Sequence, residues 1–290
     1  MRNGVALGYN PTDYFRFDAV RSVVSIDPAS LRENRLGSVM LRAQRLWSGG
    51  SLTAIVSPRL DDAPSDGPFS VDLGATNGSN RYLLALSEHL GKDFDPQLLL
   101  LGSEHQPAQA GMNLTHLLGS ATVAFLEGSV GRSASLAQQA SGASGPTSQL
   151  TRLATGLTYT APINLSVTVE YERNEAAPDR SQWAKLQQAG PTVLERAAQF
   201  ILGSQDLPDR QALFLHVLWT DSLLRHLDLD AFTRADLKDG SRLSWAEARY
   251  HWTHVDVAVQ WQLSSGAEGT IYGSSSPRAL GQLLVDGYLP

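Results

Sequence analysis

Hydrophobic and polar residues alternate one by one through most of this chain. From Asn164 to Glu172, Leu165, Val167, Val169 and Tyr171 fall on one side, and Ser166, Thr168, Glu170 and Glu172 on the other. Successive side chains of a strand point to opposite faces, so this spacing predicts a strand with an apolar face backed by a polar one. Val39, Leu41, Ala43 and Trp47 oppose Ser38, Met40, Arg42 and Gln44 in the same way. Leu153, Leu157 and Tyr159 oppose Arg152 and Thr158, and Leu213, Leu215, Val217 and Trp219 share a face with His216 behind them. Further along, Leu227, Leu229 and Ala231 oppose His226, Asp228 and Asp230, and Ala246, Ala248, Tyr250 and Trp252 oppose Glu247, Arg249 and His251. Val255, Val257, Val259 and Trp261 oppose Asp256, Gln260 and Gln262. Weaker alternation marks 51–59, 81–89, 96–103, 110–118, 121–130 and 278–288. The pattern predicts about thirteen strands, most near the roughly 9–11 residues of a tilted membrane strand.

The connections carry a second regularity. Short ones (48–50, 90–95, 119–120, 161–163, 221–224 and 253–254) alternate with 60–80, 104–109, 131–150, 174–209, 237–241 and 264–277. Four of the second set are long and rich in Gly, Ser and Pro, while 237–241 contains the tight Asp239-Gly240 pair of a hairpin. Short turns at one end of a sheet and longer loops at the other are what an up-and-down membrane barrel requires. Within 174–209, Leu194, Ala198, Ile201 and Leu202 recur at helical spacing behind Pro191, which predicts a short helix over 191–202. It would either fold into the mouth or, the preferred reading, cap the rim.

Composition narrows the choices. No apolar run reaches the roughly 18 residues of a membrane-spanning helix. A net charge of −6 speaks against a nucleic-acid partner, and the absence of cysteine excludes disulfides and thiolate metal sites. The first residues contain no apolar core or small-residue cleavage site of a secretion signal. Aromatic residues reinforce the barrel reading. Trp47, Tyr159, Trp219 and Trp252 end strands that enter short turns, and Tyr171 and Trp261 end strands that enter long loops, all on apolar faces. Such residues favour a membrane–water interface, so these six are expected to form aromatic girdles.

On the polar faces, Arg42, Gln44, Glu127, Arg152, Thr168, Glu170, Glu172, His216, His226, Asp228, Asp230, Glu247, Arg249, Asp256 and Gln260 would line a wet lumen. Opposed rows of charge there would create a transverse field that sorts solutes. A strand at 38–47 that descends to a short turn needs an ascending one before it, of which Gly4–Tyr9 could be only the last part. A preceding portion with a secretion signal is therefore expected to be missing from the chain.

Asn3-Gly4-Val5-Ala6-Leu7-Gly8-Tyr9-Asn10-Pro11-Thr12-Asp13-Tyr14-Phe15 resembles the NPTD-type segment of large proteobacterial porin-like outer-membrane proteins. Gly156–Glu172 and Asp239–Trp252 resemble hairpins of such barrels. The Trp-Gly pair that precedes the motif in that family is absent, and the chain ends Tyr288-Leu289-Pro290 where the family ends on an aromatic residue. The resemblance implies an all-β, up-and-down antiparallel transmembrane barrel, of which the alternation places about 13–14 strands in this chain, with the barrel expected to be incomplete and a short helix in one long loop. It also implies an outer-membrane location and, as partners, the lipid bilayer, small hydrophilic solutes and the barrel-assembly machinery. A passive or weakly selective channel without a cofactor follows from it.

Rival readings remain. No G-x-S-x-G, H-E-x-x-H, G-x-G-x-x-G or P-loop motif is present. His216 could serve an outer-membrane lipolytic enzyme, and His251, His254 and Asp256 could chelate a metal across a turn, but plain polar-face residues explain both more simply. A soluble or periplasmic all-β carbohydrate-binding module would instead pack its apolar faces into a core. An open fragment would expose unpaired sheet edges and aggregate.

Overall fold

The computed structural model describes residues 4–13, 37–60, 76–104, 106–142, 146–204, 206–274 and 277–288. Thirteen strands form one antiparallel sheet in which every strand pairs with its neighbours in sequence. They are β1 (Leu41–Trp47), β2 (Gly50–Ser57), β3 (Arg81–Glu88), β4 (Phe94–Ser103), β5 (Gln106–Leu118), β6 (Thr122–Ser133) and β7 (Ser148–Thr160). After these come β8 (Leu165–Asn174), β9 (Gln211–Trp219), β10 (Leu227–Asp236), β11 (Arg242–His251), β12 (Val255–Ser265) and β13 (Ala279–Gly287). The alternating segments thus became strands where the pattern placed them. Among the described residues β1 and β13 each pair on one side only. Gly4–Tyr9 is not a strand: that expectation fails, for reasons given below.

Turn chemistry explains one rim. The β1–β2 turn is closed by the Trp47–Gly50 pair around Ser48 and Gly49, and Gly49 takes the left-handed conformation (φ 93°) that a tight hairpin needs. Asn164, another residue that tolerates this region, holds φ 60° before β8. The opposite rim carries the long connections, although the one between β4 and β5 is shorter than the expected 104–109 because β5 already begins at Gln106.

Helices α1 (Leu136–Ser141), α2 (Arg180–Gln188) and α3 (Pro191–Gly203) lie in those connections. Pro191 opens α3 as expected, and Ala197 and Ile201 are buried while Leu202 faces outward. Leu136, Ala176, Ile201, Ile271 and Tyr272 pack together with Leu150 of β7, and Leu243 of β11 leans against them. Both strand residues sit close to the end of their strands, so the helices cap the rim. Helices α1 and α2 lie outside the elements the alternation and helical spacing predict, yet both carry a capping box: Ser135 with Gln138, and Asp179 with Gln182.

Burial is inverted relative to a water-soluble sheet. On β8, Thr168, Glu170 and Glu172 are buried, whereas Val169 is 49% exposed. Its cross-strand partners Leu157 and Leu215 are 49% and 40% exposed. Val167, Val257 and Leu215 therefore do not meet in a compact interior; they belong to the open apolar face. The sheltered face departs from polar character in β2–β4, where Ile55, Leu83, Ala85, Leu99 and Leu101 form a small oily cluster. Both faces of those strands are apolar, which is why alternation was weak there.

Candidate functional site

The polar face is crossed by Gly4–Asp13, a segment held by strands far from it in sequence. Glu127 on β6 accepts hydrogen bonds from the backbone N–H groups of Val5 and Ala6. Glu170 on β8 accepts those of Leu7, Gly8 and Tyr9. Five successive N–H donors thus face two glutamate carboxyl groups. Strand alternation aims both glutamates at the segment, and because the segment has no ladder of its own, their oxygens accept the N–H groups that strand carbonyls would otherwise take.

Arg234 on β10 locks the middle of this strap. Its guanidinium donates to Glu172 at 2.8 and 3.1 Å and to the Gly8 carbonyl at 2.7 Å, and it lies 5.2 Å over the Phe214 ring. A Cβ on Gly8 would come within 2.2 Å of a Glu172 oxygen and 2.6 Å of Phe214 Cγ, so only glycine permits this approach. Tyr9 donates its hydroxyl to Asp206 (2.8 Å), which also pairs with Arg152 (3.2 Å). The Asn10-Pro11-Thr12-Asp13 motif closes a turn: Thr12 N–H donates to the Asn10 side chain (2.9 Å) and Asp13 N–H to the Asn10 carbonyl (3.3 Å). The Thr12 hydroxyl contacts the Asn113 amide at 2.9 Å. Beside Leu7, Phe214, Phe232 and Trp245 stack on the polar face, with centroids 5.6 and 5.7 Å apart.

The strap changes the meaning of the anticipated acidic row. Glu127, Glu170 and Glu172 are covered, and their carboxyl oxygens are already engaged with N–H groups or Arg234. Arg152, Thr168, Asp256 and Gln260 are buried too; Thr168 bonds Thr158 (2.9 Å) and Gln260 donates to Glu247. Partly open on the same face are His216 paired with Asp230 (2.7 Å) and Glu247 paired with Arg249 (2.8 Å). Arg249 reaches on to Asp286 (2.9 Å), and Asp228 contacts His251 (3.3 Å). Arg42 and Gln44, bonded to each other at 2.9 Å, lie exposed on β1. His226 corrects its expected strand position: it sits in the 220–226 turn at φ 70°, with its ring edge-on to Tyr250.

Trp47, Tyr159, Tyr171, Trp219 and Trp261 share the open apolar face by strand register, and Trp252 is exposed one residue past the end of β11. Trp47 donates to Glu88 (3.1 Å) and Trp219 to the Ile163 carbonyl (3.0 Å), both near the short-turn rim. His251 Nδ1 contacts Asp256 (2.9 Å), and among the described residues no group of three or more His, Cys, Asp or Glu could hold a metal.

Where the strap meets the helical cap, Asp209 is buried and accepts from Tyr272 at 2.5 Å. Burial holds its carboxyl well above the usual range, with Asp236 and Glu172 adding to the effect against Arg234 and the Tyr272 hydroxyl. A carboxyl with a raised folded pKa favours the folded state fully below its unfolded value, about 3.9, and that contribution is lost as pH rises through the folded pKa. Asp209→Asn, which cannot ionise, should therefore gain stability relative to the wild type as pH increases above about 4. Thermal melts of both proteins across pH check this, and parallel curves would contradict it.

No family model and no curated protein matches the chain. Two solved structures from Pseudomonas aeruginosa are similar in strand arrangement. OccK11 (OpdR) aligns with a TM-score of 0.49 and 13% identity over 85% of this chain and 66% of that one. OccK8 (OprE) aligns with a TM-score of 0.47 and 11% identity over 83% of this chain and 67% of that one. This chain thus spans about two thirds of each. Likenesses of this degree leave function to be argued from the residues described above.

Proposed function

We propose that this sheet is the wall of an outer-membrane channel for small hydrophilic solutes, with the apolar face against lipid and the polar face toward water. The inverted burial of β8 carries the reading: a soluble all-β module would shelter Val169 and expose Glu170, and the reverse holds. Exposed aromatics toward both rims suit a bilayer interface. In hydrocarbon the free edges of β1 and β13 must be paired, so closure of the wall is part of the proposal. The bilayer, the permeating solutes and the barrel-assembly machinery are its partners, and the chemistry is non-covalent. Passage would depend on the remaining width beside the strap and on the partly open pairs His216–Asp230 and Glu247–Arg249.

Reconstitution into planar bilayers tests this. The wild type should form discrete conducting steps. Gly8→Val, which forces the strap away from Glu172 and Phe214, should raise unit conductance while leaving strand content unchanged. A conductance equal to that of the wild type would remove the strap from the permeation path.

A further inference from the structure

We infer that the polar face contains a binding site for a small neutral polyol, of monosaccharide size, beside the strap and near the short-turn rim. This rests on the reading of that face as solute-facing. A cavity of about 410 Å³ opens there, within the roughly 300–1,000 Å³ of ligand pockets. Its floor is a row of cross-strand neighbours running over four strands: Ser51, Ser87, Gln97 and Asn113, with Thr115 one step below. Gln97 donates to the Ser87 hydroxyl (2.9 Å) and contacts the Asn113 amide (2.9 Å), which fixes the row as a unit.

Chemistry selects the ligand. Hydroxyls and carboxamides both donate and accept, which matches a sugar hydroxyl that does the same. No lysine or arginine lines the cavity and its histidine, His89, is paired with Asp95, so an anion finds no free counter-charge. Its acidic groups already have partners: Glu88 accepts from Trp47 Nε1 (3.1 Å), and Asp95 contacts His89 Nδ1 (2.5 Å). Val5, Leu46 and Pro96 supply apolar wall for the C–H face of a sugar ring. Gly4 and Val5 form the side toward the strap, so the segment that Glu127 holds also bounds the site.

Calorimetric titration of the full chain in detergent with D-glucose tests the proposal, alongside lysine and glutamate at equal ionic strength. Glucose should bind more tightly than either amino acid. Asn113→Leu should weaken it at least tenfold and Thr115→Val, which keeps shape and strand propensity, about threefold. Thr233→Val, on the apolar face, should leave it unchanged. Absence of glucose binding, preference for lysine, or indifference to Thr115→Val in a folded protein overturns the site. Current through bilayers, recorded in parallel, separates the two readings. Glucose binding without conductance sinks the channel and keeps the site, and conductance without glucose binding does the opposite.

Discussion

Val169→Arg is expected to destabilise the membrane-inserted protein by about 2–4 kcal/mol, the cost of a cation at the bilayer midplane of a barrel wall. Val169 is the fifth residue of the ten in β8, flanked on its face by Leu157 and Leu215, all three open. Nothing anionic borders it on that face, and an arginine there has the furthest to reach to either rim. The same replacement on the polar face, Gln282→Arg in β13, should insert normally and shift ion selectivity toward anions. Urea titration in lipid vesicles measures the first effect, and reversal potentials under a salt gradient measure the second. Equal destabilisation by both variants would mean that the two faces do not differ in solvent, and the membrane reading would fall.

Arg234→Leu carries the second large effect, a loss of about 3–5 kcal/mol. The substitution strands Glu172, which is fully buried and has Arg234 as its ion-pair partner, and it also takes the donor from the Gly8 carbonyl. Replacing Glu172 by Gln in the same protein should restore most of that loss, because the penalty comes from an uncompensated carboxylate rather than from a missing attraction. Gly8 itself would stay loosely held in the double variant, so limited proteolysis near residue 8 should remain faster than in the wild type. A double variant no more stable than Arg234→Leu alone would show that Arg234 acts through packing on Phe214 instead.

The strands were legible because an interface between two solvents writes a period of two into the chain, and it does so most clearly where the contrast is greatest. Val167, Val169 and Tyr171 against Thr168, Glu170 and Glu172 is such a case. Contrast faded in Leu98–Leu101, where Leu99 and Leu101 face an oily cluster instead of water, so the two faces read alike. In β11 the alternation from Ala246 onward, extended one residue back, sets Trp245 on the polar face with Glu247. The strap was not legible as a strap: Gly4–Tyr9 reads as the end of a strand and Asn10–Asp13 only as part of a family-like motif. Gly4–Asp13 has no periodicity, and its seat depends on Glu127, Glu170 and Arg234, which only the folded sheet brings side by side. Its two glycines were the available hint, since Gly4 and Gly8 both lie where a side chain would collide with a glutamate.

That seat has a consequence for the order of folding. Val5 is 122 residues from Glu127, and Leu7 is 163 residues from Glu170. Loops that long are slow to close before other contacts hold their ends near each other. The segment precedes β1–β13 in the chain, yet it can dock only after β6, β8 and β10 stand together, so residues made before those strands must wait for them to find their place.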